Sequence, residues 1–283
     1  MLLRDRSPEP DVSSPTAAPL STTGLVPDDD AIVTALGEPG LTQRLAVHYR
    51  PVVSLSTGVV ASIAARIRFT DPLLSQAPPK RVVQIAEKTG AIVPIGGWLI
   101  RESVHELAEI LQAPRPEGPV GLSLKVSVPE LSDQGFATRI AEVLTSAGVS
   151  PDGLVLEITH PLRADAAELA DNLRLLRTMG PMLALDESSM GPEAIAQLRA
   201  LRVGELRIAP EICHGAPERE EDRVTLTAIV GLARALGLVT VATGIQSAEQ
   251  LDTARQLGVD RAQGALLGSP APLAELLTWM KPR

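Results

Sequence analysis

The sequence predicts an α/β protein, a TIM-like (β/α)8 barrel with a modified, partly antiparallel start, and three observations predict it. From residue 120 onward, short apolar strand-like runs alternate six times with helical runs. Strands alternating with helices imply a parallel sheet with helices packed outside it. About eight strand candidates over 283 residues suit a closed barrel. Finally, the first two strand candidates are separated by little more than the turn signal of Thr57 and Gly58. That spacing reads as a hairpin, because parallel neighbours need a crossover of about a dozen residues or more. An open doubly wound sheet is the alternative, but no GxGxxG or Walker-type loop favours it.

Taken in order, residues 1–27 are rich in Ser, Thr and Pro, lack an apolar period, and read as a disordered tail. Residues 28–283 read as the barrel domain. The acidic triplet 28–30 caps and starts a short helix reaching Leu36. Strands at 46–55 and 59–69 precede helices at 81–89 and 94–111. The alternation then gives strands at 120–126, 154–158, 182–185, 205–208, 239–242 and 261–263. The helices between and after them fall at 135–147, 164–179, 192–201, 222–236, 248–257 and 273–279.

With 45% hydrophobic residues a sizeable core is available, and with 2% aromatics it must be built from Ala, Val, Leu and Ile. A net charge of −8 gives no electrostatic reason to expect nucleic acid as a partner. Cys213 is the single cysteine, so neither an intramolecular disulfide nor a cysteine-based zinc site can form. No run approaches the ~20 apolar residues of a membrane-spanning helix, and the N-terminal MLLRDRSPEP lacks the apolar stretch of a signal peptide. The expectation is a soluble, cytoplasmic protein without a membrane partner.

Chemistry in such barrels sits at the C-terminal ends of the strands. The polar residues there are Arg66 and Arg68, then Lys125 and Ser127, then Glu157 and Thr159 followed by His160. Asp186 and Glu187 follow, then Arg207, Thr243 and Gln263. One acid at a strand end is ordinarily a helix cap or an ion-pair partner. Six or more consecutive strands ending this way point to one shared mouth.

From about residue 46 to 272 the chain resembles the EAL domain family, whose fold hydrolyses cyclic di-GMP. The segments that carry the resemblance are HYRPVVSLSTG, IAEKTGAIVPIGGWLI, LVLEIT, LALDESSMG, LRIAPEI, VATGIQSAEQL and DRAQGALLGSP, in the family's order. Against that pattern, the motif naming the family reads Ala64-Ala65-Arg66, with Ala64 at the glutamate ligand's place. Lys125 stands for an asparagine ligand, Glu187 for an aspartate, Arg207 for the catalytic lysine and Ala209 for the aspartate after it. Thr243 and Gln246 replace glutamates, while Glu157, Asp186 and Gln263 are retained.

The resemblance implies hydrolysis by divalent metals, and magnesium demands oxygen ligands at about 2.0–2.1 Å in near-octahedral array. An ammonium at Lys125 accepts nothing, and a guanidinium at Arg207 stays protonated. The expectation is therefore no metal, no cofactor and no enzyme. Glu157, Asp186 and Glu187 form a remnant of the metal site, with Lys125 and Arg207 standing in for the metals' charge. Arg68 matches a family arginine that contacts ligand phosphate, Arg50 stands where a ligand-contacting glutamine is usual, and Arg66 replaces a leucine. Arg50, Arg66, Arg68 and Gln263 are the candidate ligand contacts. The reading is a signalling module that binds cyclic di-GMP, a protein partner in trans, or both, with a homodimer plausible through the DESSMGPE segment. Residual phosphodiesterase activity is one alternative. An unrelated barrel using Glu157 with His160 as an acid–base pair is another.

Overall fold

The computed structural model describes residues 26–112, 120–159, 167–186, 198, 201 and 203–280. Eight strands close into a barrel in chain order, which decides for the barrel over the open sheet. Strand β1 (Leu45–Ser54) runs antiparallel to both neighbours, β2 (Val60–Phe69) and β8 (Arg261–Ala262). Every other neighbouring pair is parallel. Those strands are β3 (Gly121–Val126), β4 (Leu154–Ile158), β5 (Met182–Asp186), β6 (Glu205–Ile208) and β7 (Val239–Ala242).

Helix α1 (Asp29–Gly37) begins where the side chain of Asp28 accepts the Ala31 amide at 2.8 Å, which satisfies a backbone donor the helix itself cannot. Helices α2 (Pro79–Thr89) and α3 (Ile92–Gln112) fill the long β2–β3 connection. Two short helices escaped the sequence reading, α4 (Val128–Leu131) and, further on, α7 (Pro210–Gly215). Helices α5 (Phe136–Ala147), α6 (Ala167–Met179), α8 (Glu220–Leu236), α9 (Ala248–Gln256) and α10 (Leu273–Met280) follow their strands as expected. The tail as far as residue 25 lies outside the described residues, as does the helix expected at 192–201 apart from residues 198 and 201.

Side chains alternate along each strand, and the alternation sorts the core. Leu206, Ile208, Ala242 and Ala262 point outward and pack with Leu226, Ile229 and Leu251 of the surrounding helices. On the opposite side of the barrel Leu122, Leu124 and Leu156 do the same against Leu107, Ile140 and Leu176. Each such aliphatic side chain contributes roughly 1.5–3 kcal/mol by leaving water. Facing inward, Val52, Ala64 and Val241 make a small apolar plug in the barrel's axis. The rest of the inward positions are largely polar, and they build the site.

Candidate functional site: a charged barrel mouth

The inward positions of the strands are two residues apart, so Glu205 and Arg207 of β6 share the interior, as do Arg261 and Gln263 at β8. Arg207 is buried and central. Its Nη2 lies 3.0 Å from Glu157 Oε1 and 3.0 Å from Glu205 Oε1. It also donates to Ser123 Oγ at 2.9 Å, and its Nη1 donates to Gln263 Oε1 at 3.1 Å. Glu157 is held from the other side by Arg66, whose Nη2 donates to its two oxygens at 3.3 and 3.2 Å, and it accepts the Ser123 hydroxyl. Glu205 continues the row to Arg261, 3.1 Å away.

Burial alone would raise the Glu157 carboxyl. The charges of Arg207, Arg66 and Lys125 and the Ser123 hydrogen bond override it and hold the group down at about 2. Glu205 goes the other way. Its burial and the nearby Glu157 charge raise it, and Arg207 and Arg261 offset this only in part. The difference is one of cation count, since three cations face Glu157 and Glu205 shares one of its two.

The structure thus brings Glu157, Arg207, Gln263 and Arg66 together. Lys125 stands opposite Glu157 in the β3–β4 register, is exposed as a residue, and adds its charge to those acting on Glu157. Arg66, read from sequence as a ligand contact, is the second guanidinium on Glu157. Arg50 lies on β1 diagonal to Arg66, against Ala64 in the register. Its Nε is buried and has no hydrogen-bond partner among the described residues. Burial, and then the Arg66 charge, lower its pKa. Arg68 is exposed, two residues beyond Arg66 on the same face. Thr243 Oγ1 donates to the Ile208 carbonyl at 2.7 Å. Asp186 ends β5, while its side chain, Glu187 and His160 lie outside the described residues.

The described donors do not suit a divalent metal. Both Glu157 oxygens are engaged by guanidinium groups, Ala64 offers no oxygen, and Lys125 brings a positive charge to the same face. Among the described residues no group of three or more His, Cys, Asp or Glu side chains converges.

Sequence reasoning missed Ser123, Glu205 and Arg261. Each lies two residues before a strand-end residue it did name, so counting back by the strand period would have found them.

The fold and this mouth define a (β/α)8 barrel with an antiparallel first strand and a basic rim over buried carboxylates. The chain belongs to the EAL domain family, whose model matches residues 33–270. It is 29% identical over 238 residues to the bifunctional diguanylate cyclase/cyclic di-GMP phosphodiesterase MucR of Pseudomonas aeruginosa, covering 83% of this chain and 34% of MucR. It is 26% identical over 240 residues to the cyclic di-GMP phosphodiesterase PdeR of Escherichia coli, covering 84% of this chain and 36% of PdeR. Among solved structures, the PaMucR phosphodiesterase in its cyclic di-GMP complex matches with a TM-score of 0.78 and 27% identity, over 87% of this chain and 99% of that one. The EAL enzyme Bd1971, bound to cAMP and cyclic di-GMP, shares the fold with a TM-score of 0.80 at 21% identity, over 90% of this chain and 68% of that one. The chain spans about a third of the length of the curated relatives it matches, 28% to 34% for four of them.

These relatives correct one expectation. The chain was read as not an enzyme, yet several of the proteins it matches are named cyclic di-GMP phosphodiesterases. The reading rested on single-position departures. Departures counted one position at a time do not by themselves decide whether a reaction is lost. No helix among the described residues is long and apolar enough to cross a membrane.

Proposed function

We propose that this chain is a cyclic di-GMP-binding EAL module of second-messenger signalling, with Arg50, Arg66 and Arg68 receiving the dinucleotide's phosphates above Gln263. Arg50 carries the reading. Its buried Nε lacks a partner among the described residues, and it faces Arg66, a group of like charge. A phosphate between the two would satisfy the donor and replace repulsion by charge-assisted hydrogen bonds. The cyclic di-GMP complex of PaMucR, with which this chain shares its barrel, supports the choice of ligand. The phosphodiesterase names of the relatives support a second reading, in which the bound dinucleotide is hydrolysed. Transmission of the bound state to a protein partner or a second copy belongs to the same proposal.

Calorimetric titration with cyclic di-GMP, once with magnesium and once with EDTA, tests it when followed by product analysis and light scattering. Binding is expected in both, with Arg68→Ala weakening it about tenfold. No heat in either condition would overturn the proposal. Linear dinucleotide formed only with magnesium would decide for hydrolysis.

A further inference from the structure

We propose that the floor of the barrel, at the end opposite the mouth, is a second binding site, one for a compact oxyanion of the phosphate or carboxylate class. A cavity of about 490 Å³ opens there between the end of β1 and the starts of β7 and β8. Ser54, Ser56, Arg255, Gly258, Asp260 and Arg261 are among its lining residues.

Arg261 is the floor end of the buried ionic row. Three guanidinium groups (Arg66, Arg207, Arg261) alternate there with two carboxylates (Glu157, Glu205), so the row carries one surplus positive charge. The Arg261 side chain is 25% exposed, and among the described residues its guanidinium makes one polar contact, from Nη1 to Glu205. A guanidinium has five N–H donors in a planar fork, so the edge bearing Nε and Nη2 remains to bind an oxyanion.

Arg255 lines the same cavity, and Arg234 adjoins one of its lining residues. Arg255 is held over it by its contact to the Leu55 carbonyl and by Asp252. Arg234 lies beside Gly258, close enough that a β-carbon there would come within 2.7 Å of its Nη2. Ser54 and Ser56 share one hydrogen bond of 3.1 Å. One hydroxyl therefore donates to the other and the second has a proton to give. The lining carboxylate, Asp260, spends Oδ2 on the Thr240 amide and hydroxyl at 2.8 and 2.7 Å. The floor thus presents two lining cations, a third beside Gly258, and a hydroxyl proton around a space that fits a pyrophosphate or a small dicarboxylate.

The test separates floor from mouth. In an Arg50→Gln/Arg68→Gln background, which weakens the mouth, pyrophosphate and malonate are titrated calorimetrically at low salt, with chloride as the control anion. At least one of the two is expected to bind, the tighter identifying the phosphate or carboxylate class. Adding Arg234→Gln and Arg255→Gln, both surface side chains, should weaken it about tenfold or more. Arg261→Gln should do the same, with circular dichroism confirming that each variant is folded. Binding that is absent in the mouth-weakened background, matched by chloride, or unchanged by the floor substitutions overturns the proposal. None of these results depends on whether cyclic di-GMP binds at the mouth.

Discussion

Replacing Arg207 by methionine is the most informative single change in this barrel. Methionine keeps much of the side-chain volume and removes the charge, so packing alters less than electrostatics. Arg207 stands 3.0 Å from each of two buried carboxylates and also binds Gln263 and Ser123. In Arg207→Met, among the described residues, Glu157 keeps Arg66 and Lys125, and Glu205 keeps Arg261. Removing one partner of a buried ion pair costs about 3–5 kcal/mol. Two carboxylates lose a partner here and each retains another, so the expected loss is about 4 kcal/mol. With a urea slope of about 2 kcal/mol per molar, the midpoint falls by about 2 M. Adding Glu157→Gln removes one of the stranded charges and should recover about 1–2 kcal/mol. The pH dependence provides a second readout. Glu157, held at about 2 in the folded protein, stabilises it fully above the ordinary carboxylate range, and that contribution is lost as pH falls toward 2. Without Arg207 the folded value moves up toward the unfolded one, so this acid-side loss should be smaller and finish at higher pH. A cost below about 1 kcal/mol, the scale of an exposed pair, or no recovery in the double variant would refute the idea that this row is the barrel's interior support.

Other consequences follow from particular residues. Glu130 is buried against Gly96, and burial raises it to about 7 despite its hydrogen bonds from Ser127. A raised acid stabilises most below the unfolded pKa and loses that contribution as pH rises through 7, so Glu130→Gln should remove about 3 kcal/mol of decline between pH 5 and pH 8 in chemical unfolding. Tyr49 is the chain's only tyrosine, and burial and then Glu106, which its hydroxyl meets at 2.5 Å, raise its pKa. Absorbance at 295 nm should therefore show no phenolate up to about pH 11 while the protein stays folded, and Tyr49→Phe should cost about 1–2 kcal/mol. At Gly264 a β-carbon would come within 2.0 Å of the Ile245 carbonyl oxygen, a backbone atom with little room to move. Gly264→Ala should lose at least about 3 kcal/mol in thermal or urea unfolding.

The barrel was legible because its strands are buried on both faces. The runs at 154–158, 205–208 and 239–242 coincide with β4, β6 and β7, each cleanly bounded by polar or glycine-bearing segments. Helices α4 and α7 were not legible, since four and six residues opening on or near a proline carry no periodicity. At the site, strand ends gave Glu157, Arg207 and Gln263 directly. The exchange of roles between Lys125 and Arg66 was hidden. Both are cations on neighbouring strands, and the sequence does not say which of them reaches Glu157; the structure places Arg66 Nη2 3.2 Å from it. Whether the chain is an enzyme was not legible at all, because substitutions were counted one position at a time.

The reversed first strand has a further effect, on where the chain comes in. In a barrel of wholly parallel strands the first strand would begin at the floor. Here Leu45 begins beside Phe69, where β2 finishes, so the polypeptide arrives at the mouth. The segment before it is anchored there. Ile32, Leu36 and Leu41 pack with Phe69, Leu74, Val82 and Ile85, and Arg44 pairs with Asp71 at 2.5 Å. Residues 26–44 therefore form a collar on the rim of the mouth, six residues upstream of Arg50 at their nearest. The same strand carries Arg50, so the collar and that rim arginine lie on one continuous stretch of backbone, and packing at residues 32–41 fixes the direction from which the chain reaches the mouth.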